Sequence, residues 1–350
     1  MVTPEEVSHA YKLFLGRDPE NAEVVAGFCQ STQTLEQLSR IFMSSPEFIR
    51  RMGSAIEKPQ ANRHRHPFNL PRIPVDTHVP PEVLDQMFER IHKQWDHLGA
   101  TEPYWSVVTQ PQNYMAEFDQ HREHFFASGN SACQTFLATL RRSGINPAQL
   151  DSCLEVGCGV GRVTSYLAGA FSKVIATDIS GKHLELAKTH LAGIGVQNVD
   201  LQHWHNVDQM RQLPQVDVIM SVITLQHNPP PIMVWMLTTL LSHLRTGGVA
   251  YLQIPTYKNG YLFEVGRYLA STPTDTLEMH YLPQHDVFKV FAEANCQCLE
   301  VREDGMVSDE DQMLSNTFLV QKRYFKLFGG FESIFNNQRE SYNRNVGTFA

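Results

Sequence analysis

The sequence predicts an α/β fold: a seven-stranded sheet, parallel where strands and helices alternate, with helices on both faces, preceded by a small α-helical module. Three observations predict it. From about residue 131, apolar runs of strand length alternate with segments of helical periodicity. Near the end "CQCLEVRE" and "TFLVQKR" follow one another with only a loop between, which adds a strand pair to the sheet. The first 52 residues show helical spacing alone.

In order, "PEEVSHAYKLFLGRDPE" places Val7, Ala10, Tyr11, Phe14 and Leu15 on one helical face, and "GRDPE" ends that helix. "TLEQLSRIFM" repeats the scheme with Leu35, Leu38, Ile41 and Phe42, and Ser45 before Pro46 is positioned to cap another short helix. These residues, 1–52, form the predicted module. Residues 53–130 read as a linker and helical cap: a Pro-rich polar stretch with a basic "RHRH", then a helix with Val83, Leu84, Met87, Phe88 and Ile91 on one face. Residues 131–325 make the α/β domain, and 326–350 a tail. Its strands are "SCLEVG", "KVIATDIS", "VDLQHW", "VDVIMSVI", "VAYLQIPT" and the final pair. "GRVTSYLAGAF", "GKHLELAKTHLAGIG" and "PIMVWMLTTLLSHLRTGG" supply helices, the last ending at Gly247.

Composition narrows the function. At 350 residues the chain has room for one large domain and a smaller one, and 37 acidic against 29 basic residues gives no general attraction to nucleic acid or an anionic membrane. No apolar run approaches a membrane span, and the amino terminus carries Glu5 and Glu6 where a signal peptide would be basic, so a cytoplasmic location is expected. The six cysteines, at 29, 133, 153, 158, 296 and 298, lack the spacing of a disulfide scaffold or a zinc site. Histidine pairs occur in "HREH" (His121, His124) and "HWH" (His203, His205). Neither brings a full set of ligands, so no metal is expected.

Gly157, Gly159 and Gly161 fall between the first strand and the following helix, a place where a ligand approaches the backbone closely. A dinucleotide fingerprint, G-x-G-x-x-G, would need its third glycine at 162, where this chain has Arg162. The second strand ends in Asp178, 21 residues after Gly157, where a carboxylate can accept both hydroxyls of a ribose. An adenosine-like ligand other than a dinucleotide is the expectation.

"LEVGCGVGR", "VIATDIS" and "VDVIMSVITLQH" together resemble the class I S-adenosylmethionine-dependent methyltransferases over roughly residues 125–322. The resemblance implies a Rossmann-like sheet with an added terminal strand pair, and S-adenosyl-L-methionine as cofactor. It implies that Gly157 and Gly159 let the backbone come close to the methionine part, with Glu155 and Gly161 also in the cofactor site, that Asp178 holds the ribose and that Ile179 lies against the adenine. Ser221 and Val222 would line the floor near the sulfonium. After the third strand, where the family often has an acidic residue for the adenine amine, this chain offers His205 and Asn206; Asn206 is the expected acceptor.

Methyl transfer to an aliphatic hydroxyl needs a base, since such a hydroxyl is about as weakly acidic as water, roughly pKa 16. His227 in "TLQHNPPP", just past the fourth strand, is the first candidate and His280 in "TLEMHYLP" the second. Arg162, Arg267 and the aromatics Tyr104, Trp105, Phe125, Tyr257 and Tyr261 would shape an acceptor pocket of the kind sugar rings favour. A nicotinamide-dependent sugar oxidoreductase is the rival enzyme, opposed by Arg162 and by the lack of a Y-x-x-x-K dyad; a non-catalytic cofactor-binding scaffold is the other alternative.

The wider pattern, from "WDHLGATEPYWSVVT" to "EMHYLP", resembles methyltransferases encoded beside surface-polysaccharide genes. Tyr11, Leu15-Gly16-Arg17, Pro19 and Ser45-Pro46-Glu47-Phe48 resemble a short module found ahead of glycosyltransferases and methyltransferases in bacterial polysaccharide clusters. Its expected role is docking or packing without chemistry. The expected partner is a small-molecule or glycan acceptor, and the Phe-rich tail "YFKLFGGFESIFNNQ" is expected to pack on a partner such as a second copy.

Overall fold

The computed structural model describes residues 2–48, 70–272, 277–307 and 313–323. The aromatic tail, the proposed partner surface, lies outside them, as does the "RHRH" stretch. The chain divides into two compact units, residues 1–68 and 69–350.

In the first unit α1 (Pro4–Ala10) continues into a widened π turn over Tyr11–Leu15, followed by α2 (Ala22–Ser31) and α3 (Leu35–Met43). Thr3 and Glu6 close a reciprocal capping box, and Asn21 and Thr34 cap the next two helices. Val7, Tyr11, Leu15, Leu38 and Phe42 are its buried core. Leu35 and Ile41, expected on the same buried face, are exposed, and α2 was not foreseen because "AEVVAGFCQS" has no clear apolar stripe.

The second unit opens with residues 70–80 draped along the domain: Val75 bridges Phe263, and the Asp76 carboxylate accepts from Val265 N. Then come α4 (Pro81–Thr101) and α5 (Phe118–Arg142). The sheet follows as β1 (Ser152–Val156), α6 (Thr164–Ala170), β2 (Lys173–Asp178), α7 (Gly181–Gly193), β3 (Val199–His203), α8 (Val207–Arg211) and β4 (Val216–Ser221). It closes with α9 (Pro230–Ser242), β5 (Leu244–Lys258), α10 (Val265–Ala270), α11 (Gln284–Glu293), β6 (Cys296–Glu303) and β7 (Met313–Lys322).

All seven expected strands form one sheet of order β3-β2-β1-β4-β5-β7-β6, with β7 antiparallel to both neighbours. The chain leaves β1 toward β2 on one side and later returns to β4 on the other, so a crevice opens beyond the carboxyl ends of β1 and β4. β1, β2 and β4 are apolar on both faces because both are covered, which is why they read as continuous runs rather than alternations. Leu154, Val156 and Ile219 pack under α4, α9 and α11. Cys153, Val174 and Val218 pack under α5 and α6.

One expectation needs correction. The helix predicted to end at Gly247 stops at Ser242; Leu244 already pairs with Val216, and Gly247, at φ +83°, turns the chain within the start of β5. The helix expected after the Pro-rich stretch is α4, whose Met87, Phe88 and Ile91 belong to the main core of the second unit.

Candidate active site

The glycine turn owes its shape to backbone that only glycine adopts easily. Gly157, Gly159 and Gly161 have φ of +79°, +54° and +82°. A Cβ at Gly157 would collide with the Thr224 side chain, and one at Gly159 would come within 2.7 Å of Val107 Cγ2. The amides of Gly157 and Cys158 both donate to the Thr177 carbonyl, at 2.8 and 2.9 Å, and Gly159 N donates to Asp178 Oδ2 at 2.8 Å. Amides already engaged in this way do not form a cradle for a pyrophosphate.

Above the turn lies a cleft with about 1100 Å³ of open space. Glu155, Gly157, Gly159, Asp178, Ile179 and Val222 of the expected cofactor residues line it, together with Arg162 and His227. Ile91 and Trp95 of α4, Ser106, Val107, Trp204 and Met210 complete much of the wall.

Asp178 ends β2 buried, Oδ1 accepting from Ser180 N at 2.9 Å and Oδ2 from Gly159 N. Each oxygen keeps a lone pair, so the carboxylate can still accept two ligand hydroxyls. Behind it His183 Nδ1 stands 3.5 Å from Oδ1, and His183 Nε2 pairs with Ser106 Oγ at 3.0 Å. Sequence reasoning missed this pair, whose only local sign is His183 three residues after the Ser180 cap.

Glu155 is buried, and Thr164 Oγ1 donates to its Oε2 at 2.6 Å. Burial lifts its pKa to about 7, an effect that the Thr164 bond and the Arg162 charge only partly offset. Burial lowers the Arg162 pKa in turn, and its Nε has no hydrogen-bond partner. A buried carboxyl and a half-buried guanidinium, each incompletely paired, thus stand together on the cleft wall.

His227 sits on a 3₁₀ turn, Leu225–His227, just after β4. Burial, with the neighbouring His280, holds its pKa down to about 4, so the ring is neutral at pH 7. Its Nδ1–H donates to the Glu278 carbonyl at 2.9 Å, which leaves the lone pair on Nε2; Gln226 Nε2 donates there at 3.3 Å. Trp95 meets the ring edge-on at 5.1 Å. Ile223, on the same wall, has φ +55°, a strained choice for a β-branched residue, and Gln253 Oε1 accepts from its N at 2.9 Å. Gln253 also reaches Gln226, so β5 supports the histidine turn through side chains.

Several expected residues lie off the wall. His280 is enclosed by Tyr261, Phe263 and Tyr268, with Nδ1 3.0 Å from Tyr261 Oη and Nε2 3.3 Å from Glu278 Oε2, so it does not face an acceptor. Asn206 is exposed and spends its carbonyl oxygen capping α8, accepting from Asp208 N and Gln209 N; that contact replaces the expected one to adenine. Gly161 faces Ala187 and Leu191 of α7, and Ser221 Oγ turns back to the Val156 carbonyl. Tyr104 stacks on Phe118 beside Phe125, and Trp105 stacks on Tyr114. Tyr257 Oη donates to the Pro71 carbonyl, and Arg267 is exposed on α10. The aromatic residues on the wall are Phe88, Trp95 and Trp204, and an amphipathic helix pattern cannot tell the first two from core residues.

Residues 153–248, from β1 into β5, match a family described as methyltransferase domain. No curated protein matches the chain. Among solved structures it is similar to the magnesium protoporphyrin IX methyltransferase of Synechocystis with bound S-adenosylhomocysteine, at 18% identity and a TM-score of 0.47, over 67% of this chain and 100% of that one. It is similar to the N-methyltransferase NodS of Bradyrhizobium japonicum, also with S-adenosylhomocysteine, at 14% identity and TM-score 0.45, over 67% and 100%. A third is an S-adenosylmethionine-dependent methyltransferase of Clostridium acetobutylicum, at 15% and 0.42, over 55% and 91%.

Fold, cleft and domain match define the class: a class I methyltransferase fold carrying a methyltransferase domain. The matched residues, 153–248, include the glycine turn, Asp178 and His227 of the cleft wall.

Proposed function

We propose that the protein methylates a hydroxyl of a sugar, glycan or other small molecule, with His227 as general base. The observation that carries the proposal is the placement of His227: a neutral imidazole on the cleft wall, its tautomer fixed by Glu278 so that the basic nitrogen is Nε2, from which an acceptor hydroxyl displaces the long 3.3 Å bond of Gln226. In this reading Asp178 binds the ribose hydroxyls and Ile179 and Trp204 border the adenine. Arg162 and Glu155 meet the carboxylate and ammonium of the methionine end. The cofactor supplies an electrophilic methyl on a sulfonium; the chain aligns the acceptor oxygen with it and takes up the proton at His227 Nε2 as the bond forms.

A base of pKa about 4 supplies little driving force, so alignment carries most of the rate. Trp95 gives the acceptor an apolar face, and Asn228 and Thr224 supply hydrogen bonds. The resemblance to polysaccharide-cluster enzymes favours a glycan acceptor and a docking role for residues 1–52, and the acidic amino terminus favours a cytoplasmic location.

The test is incubation with methyl-labelled S-adenosyl-L-methionine and a panel of sugar nucleotides, glycosides, amines and carboxylic acids, followed by mass spectrometry. Label on a sugar hydroxyl is the expected result. Label confined to amines or carboxylates overturns the acceptor class, and cofactor binding without transfer to any of them returns the scaffold reading.

A further inference from the structure

Beside the cleft, outside the machinery described above, His92 and Asp96 on α4 and His203 at the end of β3 present Nε2 or Nδ1 and carboxylate atoms that all lie within 4.8 Å of one another. We propose that His92, Asp96 and His203 bind a divalent transition-metal ion, zinc in particular, which pins the loop after Asp178 between α4 and β3.

The local hydrogen bonds orient this trio as ligands. His203 Nε2 lies 3.0 Å from the Ile179 carbonyl and must donate to it, so in the neutral ring the Nδ1 lone pair is available. Asp96 Oδ1 accepts from Gly181 N at 3.1 Å, leaving Oδ2. His92 Nε2 is buried, stands 3.4 Å from Asp96 Oδ2 and has no hydrogen-bond partner. An unpaired buried nitrogen costs stability unless something binds it. A backbone carbonyl and a backbone amide holding two of the ligands is the second layer of contacts that metal sites use to fix ligand orientation.

Two imidazole nitrogens with one carboxylate suit zinc, and magnesium and calcium, which take oxygen ligands, fit poorly. Asp96, with its side chain 42% exposed, leaves the site open to water, which completes the coordination. His92 and Asp96 are one helical turn apart, so both project from one face of α4, but His203 comes from another element more than a hundred residues away. No linear motif reveals such a set. Both second-layer partners, Ile179 O and Gly181 N, flank Ser180 in the loop that follows Asp178, so the ion would brace that loop from outside the cleft.

Calorimetric titration of the full chain with zinc chloride, after chelator treatment and in a non-coordinating buffer, tests the proposal. One site of micromolar or tighter affinity is expected, weakened at least tenfold in His203→Gln, His92→Gln and Asp96→Asn. Asp96→Asn keeps an oxygen for Gly181 N, so it serves as the variant that folds if a histidine variant does not. Substitution with cobalt(II) should give visible absorption of a low-coordinate site in the wild type, lost in Asp96→Asn. Absence of zinc binding, or binding unchanged in Asp96→Asn because other histidines account for it, overturns the proposal.

Discussion

His227 and Glu278, 51 residues apart, are joined by the 2.9 Å hydrogen bond from the histidine Nδ1 to the Glu278 carbonyl, and that bond decides which nitrogen can act as a base. His227→Ala should lower turnover by roughly 10²- to 10⁴-fold with cofactor affinity nearly unchanged. With a pKa of about 4, His227 is deprotonated from pH 6 to 9, and its protonation should not limit the wild-type rate in that range. Steady-state kinetics with calorimetry checks both. A wild-type acid limb near pH 6.5 that vanishes in the variant would contradict the low pKa.

Glu278 is held in turn by Arg90 of α4, whose Nη2 donates to Oε1 at 2.8 Å while the guanidinium lies 4.0 Å over the Tyr268 ring. Burial pushes the Glu278 pKa up, but the bonds from His280 and Arg90 outweigh it and bring the value down to about 2. A depressed carboxylate stabilises the fold above its unfolded pKa, and that contribution is lost as pH falls from about 4 toward 2. Glu278→Gln should therefore cost about 1–3 kcal/mol at pH 7, with the difference from wild type shrinking in acid. Thermal unfolding at pH 7 and pH 3 measures this, and an equal loss at both would assign the effect to packing.

The sheet was legible because buried parallel strands leave apolar runs such as Val218-Ile219-Met220, and the glycine turn because three positive-φ positions leave few alternatives to glycine. His227 and Asp178 were legible by position at strand ends. What the sequence concealed depends on side chains competing for contacts. Asn206 could equally bind a ligand or cap a helix, and the cap three residues before Gln209 wins because both partners lie on one local turn. Tyr104 and His280 look like pocket residues, yet Phe118 and Phe125 enclose the first, and Tyr261, Phe263, Tyr268 and Glu278 the second.

Asp178→Ala should weaken cofactor binding by about 1.5–3 kcal/mol through lost charged hydrogen bonds. The carboxylate also ties Gly159 N and Ser180 N, so Asp178→Asn, which keeps an acceptor oxygen, should lose less. Calorimetry with S-adenosyl-L-methionine, S-adenosylhomocysteine and NAD compares them directly; NAD binding tighter than either would favour the oxidoreductase.

Glu155 gives the prediction with the opposite pH sign. Its pKa rises from an unfolded value near 4.5 to about 7. A raised carboxylate pKa means that the native state holds the proton more tightly, so its contribution is fully present below about 4.5 and disappears as pH rises through 7. Above that the fold carries a poorly solvated charge, which Arg162 compensates in part. Glu155→Gln keeps an oxygen for Thr164 and removes the charge, so it should stabilise the ligand-free protein by about 1–3 kcal/mol at pH 8.5 and do little at pH 5. The same variant should bind S-adenosyl-L-methionine at least tenfold more weakly at pH 8.5, because the ammonium loses its counter-charge. Wild-type affinity should fall as pH drops below 7 and Glu155 takes a proton. Melting curves and calorimetry across pH 5–9 read both effects. A variant that is less stable and binds normally would show that Glu155 serves the turn through Thr164 alone.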